Sequence, residues 1–374
     1  MKQLKILHVY KESSILSHGG IPVAIDSICK ATSKLNVKNQ LLCLSQNPSP
    51  KPINLGHYEV IESKEAFSIS SMPVSFTAIK IFKKLSAEVD VIHFHFPYPF
   101  ADFLSLFDRV RPYVVTYHSD IVRQRFLKFF YRPLMEIFLK KSKKIIAAST
   151  NYLSSSLNLK HYRAKCEVIP LGLSEDSYPS PDKDALSEWK SKLPKRFFLF
   201  LGAQRYYKGL HVLPEALVGE PDIYVVVAGK ADKGLKKTRQ SIYSESRENI
   251  IFLGSVTEQH KVILLTLCYA FIFPSHLRSE AFGLSLVEAS MFGKAMISCD
   301  IGTGTSFVNL HEKTGLVVKP SDSDSFRKAM LFFLHNPDLV DLYGENAKQR
   351  YYELFTAEGQ GTSYRKVYDD ALHR

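Results

Sequence analysis

The strongest constraint on the fold of this chain is the alternation of short apolar runs with longer amphipathic stretches along its 374 residues. Short apolar runs predict buried strands, and they lie at 4–10, 41–44, 89–96, 113–117, 144–148, 197–201, 223–228, 250–253, 269–273 and 295–298. The stretches between them have helical periodicity, among them 22–33, 126–141, 210–217 and 284–292. Apolar strands that alternate with helices predict parallel α/β sheets with both faces covered.

Two such series follow one another, which predicts two Rossmann-like domains. The junction carries Pro170-Leu171-Gly172 and then a polar stretch, 174–184, with Pro179 and Pro181. We therefore predict a first domain over 1–172 and a second over 173–374. The terminal helix of the second domain is free to pack back on the first domain. Ligands bind at the carboxyl ends of parallel strands, so we expect the chemistry in a central cleft that the two sheets face.

The charge is divided unevenly between these two domains. The chain has a net charge of +12, and residues 1–172 hold 24 Lys and Arg against 12 Asp and Glu. Residues 173–374 hold 25 of each kind. The first domain alone is therefore suited to an anionic partner, of which nucleic acid and an acidic lipid surface are the two main classes.

The cysteine pattern and the apolar segments bear on the compartment. The cysteines are odd in number, Cys29, Cys43, Cys166, Cys268 and Cys299, and form no C-x-x-C pair, which favours a reducing cytosol over a disulfide framework. The most apolar stretch, 262–274, is too short for a bilayer core of about 30 Å. We expect a cytoplasmic protein that does not span a membrane.

The segment 279–288 has the pattern of an anion-binding turn. Glu280 precedes and Glu288 follows Gly283, at the point where an apolar strand gives way to a helix. The first amides of a helix are free to bind an anion, whereas a carboxylate suits sugar hydroxyls. The competing interpretation is a solvated helix face with an acid that stabilises the helix dipole.

The spacing of Glu280 and Glu288 resembles the E-x7-E motif of retaining GT-B glycosyltransferases, in particular glycosyltransferase family 4. The resemblance extends over most of the chain in matching order: His18-Gly19-Gly20, His118, Ile169-Pro170-Leu171-Gly172, Lys208-Gly209, Phe252-Leu253-Gly254, Pro274-Ser275, Glu280-Ala281-Phe282-Gly283-Leu284 and Thr314-Gly315-Leu316-Val317. It implies a GT-B fold, a nucleotide-sugar donor as substrate and retention of anomeric configuration.

The resemblance also implies roles for individual residues around the donor. Glu280 would contact the donor sugar, the amides near Gly283, Leu284 and Ser285 the diphosphate, and Glu288 the ribose. Lys208 would neutralise the diphosphate leaving group, which makes a metal ion or other cofactor unnecessary. The chain departs from the family pattern at Ala203, where an arginine is usual, and we expect Arg205 to take its place, against the alternative that Arg205 is a surface residue.

Two further positions belong to the predicted first domain. The resemblance assigns His118 a hydrogen bond to the donor sugar, against the alternative of a loop histidine, and gives Gly20 a place near phosphate or acceptor, against a plain turn. His93 and His95 share one strand face, but no third ligand is evident, so no metal site is predicted.

The stretch 123–144 is strongly basic and rich in aromatic residues. A basic amphipathic helix suits an anionic membrane surface, and the predicted contacts are Arg123, Arg125, Lys128, Arg132, Lys140, Lys141, Lys143 and Lys144. The alternatives are a helix buried on one face and an RNA-binding surface, although no RNA-binding motif accompanies it. We favour membrane contact, because a lipid-linked acceptor would explain why this helix is basic and aromatic.

The segment 300–309 stands where the family commonly has Gly-Gly-x-x-Glu, and it is similar to mannosyl- and rhamnosyltransferases of O-antigen assembly. This resemblance predicts transfer of mannose from GDP-mannose to a lipid-linked glycan at the inner face of the cytoplasmic membrane, with no nucleic-acid partner. The alternatives are a UDP-sugar transferase, a GT-B nucleotide-sugar 2-epimerase, and a non-catalytic protein that binds nucleic acid or a sugar nucleotide.

Overall fold

The computed structural model describes residues 2–16, 19–69, 72–108, 110–121, 125–231 and 249–373. The chain divides into two compact units, Met1–Gly172 with Ala357–Arg374, and Leu173–Thr356. The boundary coincides with the predicted end of the first domain. The second unit ends at Thr356 and not at residue 374, and the terminal segment, for which packing back on the first domain was the predicted option, belongs to the first unit.

The first unit is built on an eight-stranded sheet with the order β10-β9-β8-β7-β1-β2-β4-β3. Its strands are β1 Leu4–Val9, β2 Val37–Ser45, β3 Ile53–Asn54, β4 Tyr58–Lys64, β7 Val91–Phe96, β8 Tyr113–Tyr117, β9 Lys144–Ala147 and β10 Cys166–Val168. Only β3 runs antiparallel to its neighbour in this sheet. The short strands β5 Phe67–Ile69 and β6 Met72–Val74 form a separate antiparallel pair. The parallel sheet expected from the apolar runs is confirmed.

Helices cover this sheet and complete the core of the first unit. They are α1 Gly20–Ser33, α2 Phe76–Glu88, α3 Pro99–Leu104, α4 Arg125–Lys141, α5 Thr150–Ser155 and, from the end of the chain, α13 Ala357–His373. Buried Tyr364, Val367 and Tyr368 of α13 share one apolar cluster with Leu4 and Ile28. These buried contacts explain why the last helix belongs to the first unit.

The second unit has a six-stranded parallel sheet with the order β13-β12-β11-β14-β15-β16. Its strands are β11 Phe198–Leu201, β12 Val225–Ala228, β13 Ile250–Gly254, β14 Ala270–Phe273, β15 Met296–Cys299 and β16 Gly315–Val318. The helices are α6 Lys183–Lys192, α7 Leu213–Ala216, α8 Glu258–Leu267, α9 Leu284–Met291, α10 Thr305–Val308, α11 Ser323–His335 and α12 Pro337–Leu354. The chain order reverses between β11 and β14, which is the topological switch point where such sheets bind ligands.

Local signals explain where several helices begin. The side chains of Asp182, Thr257 and Asp322 each accept a hydrogen bond from an amide in the first turn of the helix that follows. The predicted helix 210–217 is instead a 3₁₀ turn, Leu210–Val212, followed by the short α7. Among the described residues, no helix is long and apolar enough to cross a membrane.

Candidate active site

Lys208 and Glu280 form an ion pair at the switch point of the second unit. The Nζ of Lys208 lies 2.5 Å from Oε2 of Glu280, and each side chain is only 12% exposed. The ammonium also lies 4.6 Å from the ring centre of Phe273, at the end of β14. A Cβ built on Gly202, at the end of β11, would lie 3.8 Å from it. The structure thus brings two of the predicted catalytic residues together at the carboxyl ends of adjacent strands.

The turn before α9 contains Gly283, Leu284 and Ser285, the residues predicted to bind the diphosphate. Gly283 stands at the helix N-terminus with φ of 88°, a left-handed conformation that favours glycine. The amides of Leu284 and Ser285 open the helix, where no carbonyl of the same helix can pair with them. The Gly304 amide donates to the Ala281 carbonyl at 2.8 Å, so the loop after β15 packs directly against this turn.

Glu288 lies in a second cluster, with Lys261 and Tyr178. The Lys261 Nζ is 2.7 Å from Glu288 Oε1, and the Tyr178 hydroxyl donates to the same oxygen at 2.9 Å. Burial acts to lower the pKa of Lys261, but the carboxylates of Glu288 and Glu258 outweigh it and raise that pKa. The sequence alone did not point to Lys261 and Tyr178, because neither lies in a motif and both come from segments distant from Glu288.

Arg205 and Gly20 are placed without contacts that would assign their function. Arg205 is exposed and directly precedes the 3₁₀ turn Tyr206–Lys208. Gly20 is the first residue of α1, and a Cβ built on it would meet nothing within 4 Å. The protein itself therefore leaves room for a side chain at Gly20. His18, in the same predicted loop, lies outside the described residues.

His118 of the first unit follows β8, is half-buried, and ends a line of hydrogen-bonded histidines whose other members, His95 and His8, are buried. Its Nε2 lies 3.0 Å from Nδ1 of His95, and Nε2 of His95 lies 3.0 Å from Nδ1 of His8. Burial lowers the pKa of His118 to about 3 and that of His8 to about 4. These rings are therefore neutral near pH 7, so His118 is suited to hydrogen bonding and not to carrying charge.

Three of these histidines approach one another closely enough to raise the question of a metal ion. The ring nitrogens of His8, His93 and His95 lie within 4.8 Å of one another, and His8 is the third residue that the sequence analysis did not find. The His93 nitrogens face Tyr368 at 2.9 Å and Thr116 at 2.7 Å, and the His93 and His95 rings stack at 4.2 Å. A metal ion at this cluster would therefore have to replace hydrogen bonds that these ring nitrogens form with protein partners.

The structure changes the interpretation of the basic stretch. Phe138 and Leu139 are fully buried, and Phe138 stacks on Tyr113 of β8 at 5.5 Å. These two apolar residues belong to the core, so they are unavailable to a membrane. Lys144 is a further correction, because it is paired with Glu167 at 3.1 Å and is only 15% exposed.

The remaining basic residues of this stretch fall into three groups. Lys140, Lys141 and Lys143 are exposed at the end of α4 and just after it. Arg132 is exposed but is paired with Glu136 at 2.7 Å. Arg123 lies outside the described residues, as do the side chains of Arg125 and Lys128. Within the described part of this stretch, Lys140, Lys141 and Lys143 are therefore the exposed lysines that remain available to a partner.

Comparisons with known sequences cover both units. A family profile described as Glycosyltransferase Family 4 matches residues 18–177, and one described as Glycosyl transferases group 1 matches 182–350. The D-rhamnosyltransferase WbpZ of Pseudomonas aeruginosa is 45% identical, over 95% of this chain and 93% of that protein. The O-antigen chain mannosyltransferase C of Escherichia coli is 38% identical, over 99% of both chains.

Solved structures agree with the fold. Sucrose-phosphate synthase from Thermosynechococcus elongatus superposes with a TM-score of 0.81 at 18% identity, over 99% of this chain and 100% of that one. Anabaena Alr3699/HepE, solved in complex with UDP, has a TM-score of 0.79 at 17% identity, over 97% and 99%. At this identity the likeness shows the GT-B fold alone, whereas the sequence relatives show the family. This chain belongs to glycosyltransferase family 4.

Proposed function

We propose that this glycosyltransferase moves a mannose-type sugar from a GDP-activated donor, with retention of configuration, to a lipid-linked glycan in O-antigen assembly. The observation that carries the proposal is the buried Lys208–Glu280 pair at the switch point of the second unit. It places one cation and one carboxylate beside the amide-rich start of α9. A sugar diphosphate needs these groups: donors for its phosphates and an acceptor for its hydroxyls.

In this mechanism the second unit stabilises the leaving group. Cleavage of the bond between sugar and diphosphate builds negative charge on the departing phosphate. Lys208 and the amides of Leu284 and Ser285 offset that charge, so the reaction needs no metal ion. Glu280 accepts hydrogen bonds from the sugar, and Glu288 from the ribose. The incoming hydroxyl attacks on the face that the phosphate leaves, and the phosphate oxygen takes its proton.

The sugar is chosen from the two relatives that cover nearly the whole chain. One is named a D-rhamnosyltransferase and the other an O-antigen chain mannosyltransferase. D-Rhamnose is 6-deoxy-D-mannose, so the two sugars share the stereochemistry of the ring and differ only at C6. A site that accepts either sugar reads the ring hydroxyls, and the C6 hydroxyl decides the preference between them.

The donor is tested by thermal denaturation with GDP, UDP, dTDP and ADP at equal concentrations. A ligand that binds only the folded protein stabilises it, by about 2.7 kcal/mol at one hundred times its Kd. We expect GDP to raise Tm most, and GDP-mannose or GDP-D-rhamnose to support transfer. A larger shift with UDP would reject the guanine donor while leaving the transferase class intact.

The product distinguishes transfer from the competing epimerase chemistry. With a lipid-linked acceptor present, a transferase lengthens the glycan and releases the nucleoside diphosphate. An epimerase instead changes the sugar without needing an acceptor. Mass spectrometry of the lipid fraction should show one added hexose or deoxyhexose; a changed nucleotide sugar with an unchanged lipid would contradict the proposal.

The lipid acceptor also gives the basic surface of the first unit a role. Lys140, Lys141 and Lys143 are exposed together at the end of α4, in the unit that carries all of the excess positive charge. Each lysine near an anionic bilayer contributes about 1 kcal/mol to binding. We infer that these three lysines hold the enzyme to the inner face of the cytoplasmic membrane, as a peripheral protein.

Charge reversal tests this membrane contact. Replacing Lys140, Lys141 and Lys143 by Glu should reduce sedimentation with phosphatidylglycerol vesicles strongly. The matched control reverses three exposed lysines of the second unit, Lys183, Lys190 and Lys195, which changes the net charge equally and should bind normally. An equal loss of vesicle binding in both variants would mean that binding depends on net charge and not on these three lysines. Unchanged binding of the first variant would reject the membrane contact at this surface.

A further inference from the structure

A continuous line of hydrogen bonds crosses four neighbouring strands of the first unit and ends at His118. It runs from Asn39 on β2 to His8 on β1, then to His95 on β7, and then to His118 after β8. The three links measure 3.2, 3.0 and 3.0 Å. Asn39, His8 and His95 are almost completely buried, so water cannot substitute for a missing partner along this line.

The direction of hydrogen-bond donation along the line is set by Asn39 at its buried end. The Asn39 amide nitrogen donates to the carbonyl of Cys29 at 3.1 Å and to Thr32 at 3.0 Å. A backbone carbonyl can only accept, so the amide NH₂ must face Cys29 and the amide oxygen must face His8. That oxygen can only accept, and Nε2 of His8 must therefore carry a proton.

The remaining links follow from neutrality. Burial lowers the pKa of His8 to about 4 and of His118 to about 3 and holds that of His95 well below its usual value. Each ring then has one N–H and one lone pair. With its proton on Nε2, His8 accepts at Nδ1 from Nε2–H of His95. His95 in turn accepts at Nδ1 from Nε2–H of His118.

We propose that His8 and His95 are positioning residues that hold His118 with its proton on Nε2, so that Nδ1 accepts a hydrogen bond from a hydroxyl of the bound sugar. Among the residues that the structure describes, none forms a hydrogen bond with Nδ1 of His118. A lone pair cannot bind a phosphate or carbonyl oxygen. The inference deepens the proposed function, since it takes the ligand of His118 to be a sugar.

His93 is the natural comparison for His95. Both lie on β7 and are buried, and their rings stack. The two nitrogens of His93, however, face the hydroxyls of Tyr368 and Thr116. A hydroxyl both donates and accepts, so these contacts impose no direction, and His93 lies outside the line. Loss of His93 therefore disturbs packing to a similar extent without removing a link.

The experiment measures tautomers in the whole protein, labelled with ¹⁵N-histidine, by long-range ¹H–¹⁵N NMR near pH 7. His118 should carry its proton on Nε2, and so should His95 and His8. His95→Gln keeps an acceptor and a donor at similar spacing and should preserve the His118 tautomer. His95→Leu should mix the two tautomers of His118, whereas His93→Leu should leave the Nε2–H form.

Each result decides the proposal independently of catalysis. A wild-type His118 protonated on Nδ1 overturns it without any variant, even if His95→Leu fails to fold. An unchanged tautomer in His95→Leu, or an equal change in His93→Leu, also overturns it. Addition of GDP-mannose or GDP-D-rhamnose should shift the Nδ1 resonance, and an equal shift with GDP alone would contradict a sugar contact.

Kinetics provide the functional readout. His95→Leu should lower kcat roughly tenfold, the effect of one misdirected hydrogen bond, with little change in KM for the donor, and His95→Gln should restore most of it. If the protein transfers neither sugar, the proposed function fails, but the tautomer measurement still tests the line of histidines. If transfer occurs and His95→Leu is as active as wild type, the positioning role is rejected.

Discussion

At the scale of single residues, Lys208 and Glu280 represent a costly arrangement. Each side chain is only 12% exposed, and removing two charges from water costs free energy that their attraction seldom exceeds. The pair is therefore a weak source of stability. It is better explained by what it does for a ligand, because a fixed cation at a strand end stabilises charge that appears on a leaving phosphate.

Replacing Lys208 by Ala should lower kcat by about two to three orders of magnitude, the range seen when one stabilising donor is lost from an active site. GDP should also bind more weakly. The measurements are steady-state kinetics with the GDP-sugar and calorimetric titration with GDP.

The control for this variant is Lys190→Ala, at an exposed position on α6, which should behave as wild type. Circular dichroism checks that the Lys208→Ala variant is folded, since Glu280 loses its partner. A folded Lys208→Ala protein with normal turnover would reject leaving-group stabilisation by this lysine.

At the scale of elements, the packing of helix α13 on α1 depends on the close approach of their backbones at Gly361. A Cβ built on Gly361 would lie 2.9 Å from Cβ and 3.0 Å from the carbonyl carbon of Ala31 in α1. The two backbones therefore touch where a side chain would separate them. Around this point Tyr364, Val367 and Tyr368 complete the core of the first unit.

Gly361→Ala should destabilise the protein although alanine is the better helix former. Overpacking costs about 1–3 kcal/mol, which exceeds the gain in helix propensity of about 1 kcal/mol. Gly359→Ala, exposed on the same helix, should be neutral or stabilising. Urea denaturation compares the two, and equal stability would mean that α1 and α13 move apart without cost.

At the scale of the whole molecule, buried titratable groups in the first unit set the pH dependence of stability. Burial lowers the pKa of His8 to about 4 and of His118 to about 3, and holds those of His93 and His95 well below normal. Burial raises the pKa of Asp102 to about 8, although a hydrogen bond from Tyr131 opposes this. The two effects have opposite signs.

The free energy of unfolding should rise between pH 4 and about 6.5. There the unfolded chain binds protons on these four histidines and the folded chain does not. Above that range, of the groups named here, Asp102 changes the free energy of unfolding. The folded protein keeps a proton on Asp102 that the unfolded chain has lost, so stability should fall gently up to about pH 8.

Urea denaturation at intervals of pH measures this profile. Asp102→Asn should remove the decline above pH 6.5 and steepen the rise between pH 4 and 6.5, because in that range the proton on Asp102 opposes the effect of the histidines. A wild-type profile that is flat from pH 4 to 6.5 would mean that the histidines titrate normally in the folded protein.

Much of the fold could be predicted from local sequence patterns. Apolar runs such as 113–117 and 269–273 correspond to β8 and β14, because a strand buried on both faces must be apolar throughout. The glycine and proline punctuation around residue 172 marks the boundary between the units. The family resemblance rested on the spacing of Glu280 and Glu288 together with further short motifs in matching order along the chain, because each of these motifs lies within one short segment.

The tertiary structure alone decided which distant residues meet. Local periodicity carries no information about strand order, so the sequence could not bring His8 to His95 or Lys261 to Glu288. Nor could it show whether the apolar face that includes Phe138 packs into the core or contacts a membrane, because the amphipathic pattern is the same in both cases. The assignment of α13 to the first unit likewise depends on burial of Tyr364 and Tyr368 against residues at the start of the chain.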